Sequence, residues 1–269
     1  MALLSVENLS VVYKGREGAI RAVDGISFAI EPGEVVALVG ESGSGKSSAA
    51  LALTKLLRMP PAVVSGRVVF EGCRLLELDA EALRRVRGGR IAYVFQDPAT
   101  SLNPVLTIGE QLAEAVSLHT PARGREAERV AVEWLGRVGI ASAGARLGAY
   151  PHEFSGGMQQ RVCLAMAMAV QPALLIADEP TTALDVTVQV QILRLLRDLQ
   201  RAFGLSVLLI SHDLMVVERL AHRVGVMAGG RLVESGEVSQ VLHQPAQEHT
   251  RQLLRARASM TLRRGPRNG

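Results

Sequence analysis

Gly40-Glu41-Ser42-Gly43-Ser44-Gly45-Lys46-Ser47 stands between a five-residue apolar run, Val35-Val36-Ala37-Leu38-Val39, and a stretch with helical character, Lys46–Leu57. An apolar run this short predicts a strand buried on both faces. The eight residues match G-x-x-x-x-G-K-[ST] in full, in the strand-before, helix-after setting that the chemistry requires. Glycines let the backbone fold into a nest of N–H donors around phosphate oxygens. The helix N-terminus adds partial positive charge. Lys46 is placed to reach the β- and γ-phosphates of a nucleotide, and the Ser47 hydroxyl can ligate Mg²⁺. Gly40, Ser42, Gly43, Ser44, Gly45, Lys46, Ser47 and the adjoining Ser48 are the candidate nucleotide-binding residues.

A second element points the same way. Leu174-Leu175-Ile176-Ala177 is wholly apolar and runs into Asp178-Glu179. A strand of this composition belongs in a sheet interior, and the C-terminal edge of such strands is where open α/β sheets bind ligands. There Asp178 would hold Mg²⁺ and Glu179 would polarise an attacking water. Two solvated acids in a turn before Pro180 is the other reading of the pair by itself.

Working outward, strand-like runs at Leu3–Tyr13 and Ala19–Ile30 are split by Lys14-Gly15, and Val63–Phe70 and Arg90–Gln96 read as further strands. From Asp97 to about Ser155 helical patterns dominate, at Ile108–Leu118 and Arg125–Val138. Strands return at Ala173–Ala177 and Ser206–Ile210, with helical spacing over Val188–Phe203 between them. Helix Leu214–Ala221 and strands Arg223–Ala228 and Arg231–Glu234 follow. Strands alternating with helices predict a mostly parallel sheet with helices on both faces. No internal repeat is present.

Composition supports a packed globular chain. Of 269 residues, 48% are hydrophobic and 21% charged, so a large core can form, while aromatics at 3% leave it to Val, Leu, Ile, Ala and Met. The net charge of +4 is concentrated: residues 251–269 hold Arg251, Arg255, Arg257, Arg263, Arg264 and Arg267 and no acid, so the remainder is slightly acidic. That is a poor footprint for duplex binding, and no nucleic-acid partner is expected. The tail reads as a solvated, frayed end, or as a patch drawn to anionic lipid head groups. Cys73 and Cys163 lie in separate apolar contexts without metal spacing, and no disulfide is expected. The N-terminus lacks a basic region leading into an apolar stretch, so no signal peptide is read. Val162–Ala177, the longest apolar stretch, is broken by Gln171-Pro172 and is too short to span a bilayer. A soluble, cytoplasmic protein is therefore expected, reaching any membrane through partners.

Phe154-Ser155-Gly156-Gly157-Met158-Gln159-Gln160-Arg161 then narrows the class. It precedes a helix-forming stretch, so Ser155 reads as an N-cap; the same geometry offers donors to an anion. The segment resembles the signature motif of ABC ATPases, LSGGQ in its commonest form, with Phe154 for Leu and Met158 for Gln. Other elements follow in the family's order. Gln96, closing Arg90-Ile91-Ala92-Tyr93-Val94-Phe95-Gln96, resembles the Q-loop glutamine. Ala183-Leu184-Asp185 resembles the D-loop, and His212 the switch histidine. Tyr13 resembles the aromatic that stacks on adenine, though a strand tyrosine needs no such role. The resemblance implies an α/β fold: a P-loop NTPase (ABC ATPase) core, N-terminal antiparallel strands and an inserted helical subdomain. It places a catalytic core at 1–97 and 165–235, the helical subdomain with the signature at 98–164, and a helical, basic tail at 236–269, all in a single ABC ATPase domain.

Within that family, the region Phe95–Pro104, the FSGGMQQR form and Ala177–Gln189 resemble the ATP-binding subunits of oligopeptide, dipeptide and nickel importers. The implied function is ATP hydrolysis powering import of di- or oligopeptides or a related small solute. Because the chain lacks the cysteine-rich extension of many peptide members, nickel or a metallophore is also implied. The rival reading is an ATPase subunit of a non-transport assembly such as a phosphonate-degradation complex. Glu179, His212 and Gln96 would be catalytic. Ser47, Gln96 and Asp178 would hold Mg²⁺. Ser155, Gly156, Gly157 and Asp185 would join the nucleotide site. Implied partners are a second ABC ATPase subunit (a heterodimer is expected, a homodimer is the alternative), two transmembrane permease subunits and, indirectly, an extracytoplasmic solute-binding protein. The implied location is peripheral, on the cytoplasmic face of the inner or plasma membrane.

Overall fold

The computed structural model describes residues 1–15, 18–182 and 184–263, with only the backbone of 257–263. Ala183 of the D-loop segment and the tail arginines Arg264 and Arg267 lie outside the described residues. The chain forms two compact units, one built from 1–76 and 209–269, the other from 77–208.

In the first unit, β1 (Leu4–Gly15) and β2 (Gly18–Ile30) pair as an antiparallel hairpin. β3 (Val35–Val39) is buried at every position, as its composition dictates. It feeds the Gly-rich loop and α1 (Lys46–Leu53). That helix is one turn shorter than its apolar pattern suggests, because Lys55 adopts φ +51° and turns the chain away. β4 (Ala62–Phe70) and β5 (Cys73–Arg74) complete a four-stranded sheet of order β2-β1-β4-β5.

The second unit opens with α2 (Ala80–Val86), capped by Asp79, and β6 (Ile91–Val94). Then come α3 (Pro98–Ser101), α4 (Ile108–His119), α5 (Arg125–Arg137), α6 (Ala143–Arg146) and α7 (Gly156–Met168). α4 starts on a full capping box: Thr107 accepts from the Glu110 N–H while Glu110 accepts from the Thr107 N–H. β7 (Leu174–Asp178) pairs in parallel with β6, and α8 (Val186–Phe203) follows. Between α5 and the end of α8, the Arg137 guanidinium lies 4.9 Å from the Trp134 ring centroid and 5.3 Å from that of Phe203. β8 (Ser206–Ser211) carries the chain back into the first unit.

There α9 (Leu214–Leu220), β9 (Arg223–Ala228) and β10 (Arg231–Glu237) follow; β9 pairs in parallel with β3 and antiparallel with β10. α10 (Val238–His243) and α11 (Glu248–Arg263) close the described chain. Glu234 accepts the Ala246 and Gln247 N–H groups and so ties the start of the tail to β10. Among the described residues no helix is long and apolar enough to cross a membrane.

Candidate functional site

The site residues fall into a group in each unit. In the first, β3 delivers the chain to Gly40, whose φ is +152°. A Cβ there would sit 2.2 Å from the Met227 carbonyl oxygen. Gly45, at φ +100°, closes the loop and caps α1, and a Cβ on it would lie 2.1 Å from the Ala22 carbonyl oxygen. Only glycine fits either place, so the loop's shape is enforced by backbone on both sides. The Gly230 N–H donates to the Ser44 carbonyl at 3.1 Å and holds the loop from the β9–β10 turn.

Lys46 is 5% exposed. Its ammonium donates to the carbonyls of Gly40 (2.9 Å) and Glu41 (2.7 Å) and to Ser44 Oγ (3.3 Å). An ammonium carries three donors, and these loop acceptors draw its charge into the loop. Ser42, Gly43 and Ser47 are exposed, and Ser48 is half-buried on α1. The Tyr13 hydroxyl and Ser48 Oγ are 3.1 Å apart, so two sequence candidates meet here. His212 is exposed on the short link between β8 and α9, where Asp213 caps the helix by accepting from Met215 N.

In the second unit the paired strands β6 and β7 organise two consecutive acids. Asp178, 6% exposed, ends β7. The Tyr93 hydroxyl donates to Asp178 Oδ2 at 2.9 Å. Burial foremost, then the Asp178 charge, holds the Tyr93 hydroxyl far above the usual tyrosine range, so it stays a protonated donor. Glu179 has φ +46°, an uncommon conformation for a glutamate. Its Oε2 accepts from Gln96 Nε2 at 3.2 Å and from Thr182 Oγ1 at 2.8 Å. Gln96 and Glu179, two of the candidate catalytic residues, are therefore in contact.

The Ser155-Gly156-Gly157 segment starts α7 in the second unit. Ser155 is exposed and caps the helix, accepting from Met158 N at 3.4 Å. Phe154, one of the two departures from the commonest signature, is 5% exposed, and Arg146 lies over its ring. A Cβ on Gly157 would be 2.5 Å from Val188 Cγ1, so α7 and α8 leave no room for a side chain at this glycine. Asp185 caps α8 through Val188 N at 2.9 Å. Cys163 is buried on α7, and burial pushes its thiol up to about 12.

Two residues of this arrangement escaped the sequence reading. Thr182 lay unassigned inside Ala177–Gln189. Tyr93 was read only as a strand residue, although a polar tip in so apolar a strand was a signal.

Comparison with known proteins extends these observations. The family described as "ABC transporter" matches residues 23–182. The chain is 53% identical over 255 residues to the peptidoglycan transport ATP-binding protein YejF of Agrobacterium fabrum, covering 94% of this chain and 47% of that protein. It thus spans about half the length of that relative. It is 47% identical over 253 residues to the oligopeptide transport ATP-binding protein OppD of Bacillus subtilis, covering 94% and 71%. With the dipeptide transport ATP-binding protein DppD of Escherichia coli the identity is 46% over 256 residues, covering 95% and 78%. Among solved structures, the dimeric post-hydrolysis state of the ATP-binding cassette MJ0796, bound to ADP and Pi, aligns with a TM-score of 0.78 at 29% identity, covering 87% of this chain and 98% of that one. CbiO1 of Clostridium perfringens aligns with a TM-score of 0.76 at 27% identity, covering 97% and 99%. A matched family stretch longer than half the chain, running from β2 through the Gly-rich loop and the signature to the acids after β7, leaves one assignment: the chain belongs to the ABC transporter family.

Proposed function

We propose that this chain is the ATP-binding and ATP-hydrolysing subunit of an ABC importer for di- or oligopeptides or a related small solute. The observation that carries the ATPase part is the Gly40–Ser47 loop, bracketed by backbone at Gly40 and Gly45 with the Lys46 charge drawn into it. Relatives named for dipeptide and oligopeptide transport, matched over nearly the whole chain, favour the importer part.

In this reading the loop N–H groups and Lys46 bind the β- and γ-phosphates, and Tyr13 carries the adenine. The Ser155 hydroxyl and the first N–H groups of α7 would meet the γ-phosphate of a nucleotide held by a second subunit, with Asp185 beside them. Neither subunit then encloses ATP alone, so ATP drives pairing and hydrolysis releases it. Glu179 would take the proton of the attacking water, and His212 would contact the γ-phosphate.

Ser47 and Asp178 offer a hydroxyl and a carboxylate, the hard oxygen donors that suit Mg²⁺, and Gln96 adds an amide oxygen. Mg²⁺, when bound, would neutralise charge on the β- and γ-phosphates. The partners would be a second, different ATPase subunit and two permease subunits, placing the chain at the cytoplasmic face of the membrane. A solute-binding protein would act through the permeases.

Co-expression with neighbouring permease genes, reconstitution in liposomes and measurement of ATPase activity test this reading. Stimulation by a short peptide together with its binding protein is the expected result. ATPase activity indifferent to permeases and to every peptide or small solute offered would refute the importer part. ATP binding unaffected by Lys46→Ala would refute the phosphate cradle.

A further inference from the structure

β6 and β7 pair in parallel with Tyr93 opposite Ile176 and Val94 opposite Ala177. Side chains two apart on a strand share a face, so Tyr93 lies on the side of the sheet that Asp178 also faces. The phenol reaches Asp178 Oδ2 at 2.9 Å, and the Tyr93 ring packs on Phe95 with centroids 4.3 Å apart. Three residues after Tyr93, Gln96 reaches Glu179. One strand and its continuation thus supply a donor to each of two consecutive acids.

The terminal torsion of an aspartate is broad and two-fold, so its carboxylate orientation must be set from outside. We propose that Tyr93 is a positioning residue for Mg²⁺ binding: its hydroxyl fixes Asp178 Oδ2 and thereby presents Oδ1 to the metal's coordination shell. This rests on the reading of Asp178 as an Mg²⁺-holding carboxylate. Donors behind a ligating carboxylate matter because they fix its orientation, and removing one typically weakens metal binding about 10- to 100-fold.

Tyr93→Phe keeps the ring, its packing on Phe95 and the strand, and deletes one oxygen. Mn²⁺ titrated into the full chain with a non-hydrolysable ATP analogue, followed by electron paramagnetic resonance, reads metal affinity directly. The expected result is about tenfold weaker Mn²⁺ binding, the low end of that range, with affinity for the analogue in EDTA unchanged and ATPase activity largely restored at saturating metal. Asp178→Asn is the reference. If Asp178→Asn weakens Mn²⁺ binding and Tyr93→Phe does not, the positioning role is wrong and the Asp178 reading stands. If neither weakens it, the Asp178 reading fails and takes this inference with it.

A second measurement needs no variant fold. In the wild-type chain labelled with 3-fluorotyrosine, the Tyr93 fluorine resonance should shift when Mg²⁺ joins the nucleotide complex, and a resonance indifferent to Mg²⁺ overturns the proposal.

Discussion

Gly45→Ala tests whether the phosphate loop is held by backbone or merely permitted by it. The new Cβ would start 2.1 Å from the Ala22 carbonyl oxygen and 3.3 Å from its carbon. Ordinary contact is about 3.5 Å, so the loop or β2 must yield by more than about 1 Å. Neither neighbour is a flexible side-chain tip. Forcing an L residue to φ +100° costs a further 1–3 kcal/mol or so, and overpacking typically costs about 1–3 kcal/mol. The sum, roughly 2–6 kcal/mol, is less than most of the typical domain stability range of about 5–15 kcal/mol, so the variant should fold with a displaced loop. A shift of about 1 Å takes loop N–H groups out of hydrogen-bonding range of a phosphate. ATP affinity should fall at least about tenfold, the equivalent of 1.4 kcal/mol. Gly72→Ala is the control: its φ is +80°, but nothing lies within 4 Å of the added carbon, so it isolates the conformational cost from the clash. Urea unfolding and titration with a fluorescent ATP analogue measure both effects. The reasoning is refuted if Gly45→Ala matches Gly72→Ala in stability and binds the analogue within twofold of wild type.

Glu179→Gln should bind ATP normally and lose turnover by about 10²–10⁴-fold, the usual contribution of a positioned base; normal turnover would remove Glu179 from that role. His212→Ala should likewise retain binding and lose most hydrolysis in a single-turnover assay, and an unaffected rate would exclude contact with the γ-phosphate. Asp185→Ala removes the α8 cap and should cost about 1 kcal/mol by urea unfolding, whereas Asp185→Ser should keep most of that stability. Equal losses would show that the cap bond to Val188 is not what matters. At pH 8 the native chain should react with a thiol reagent at exposed Cys73 only, because Cys163 is buried and burial holds its thiol in the protonated form; two equivalents of rapid labelling would contradict that burial.

Much of this arrangement was legible in the residues. β3 is five apolar residues between Pro32-Gly33 and Gly40, and its boundaries match the reading because turn chemistry marks both ends. The Gly-rich loop and the acids after β7 were legible for the same reason: each is a polar break directly after an apolar run. α1 stops short of its apolar pattern, which Leu56 and Leu57 continue, and nothing local announces that Lys55 turns left-handed. α2 was missed although Asp79 is a capping residue, since a helix of 7 residues offers barely two turns of periodicity. The Tyr93–Asp178 bond lay beyond sequence reasoning in a stricter sense. It joins residues 85 positions apart and depends on the β6–β7 register, which the side-chain pattern of two mostly apolar strands leaves open. The Thr182 bond to Glu179 rests on a local turn in which the Thr182 N–H donates to the Glu179 carbonyl, and neither Glu179's left-handed φ nor that turn is marked by a glycine.

The left-handed backbone at Glu179 has a consequence for the history of such chains. A non-glycine residue in that conformation costs of order 1–3 kcal/mol, and asparagine tolerates it several-fold better than glutamate. Selection for stability alone would therefore favour replacing Glu179, and with Glu179 as the proposed base, selection for turnover would oppose the change. A copy released from the need to hydrolyse ATP, for instance one pairing with an active subunit, is expected to drift at this position toward asparagine or glycine while leaving the phosphate loop intact. Its fold would be the firmer for the loss.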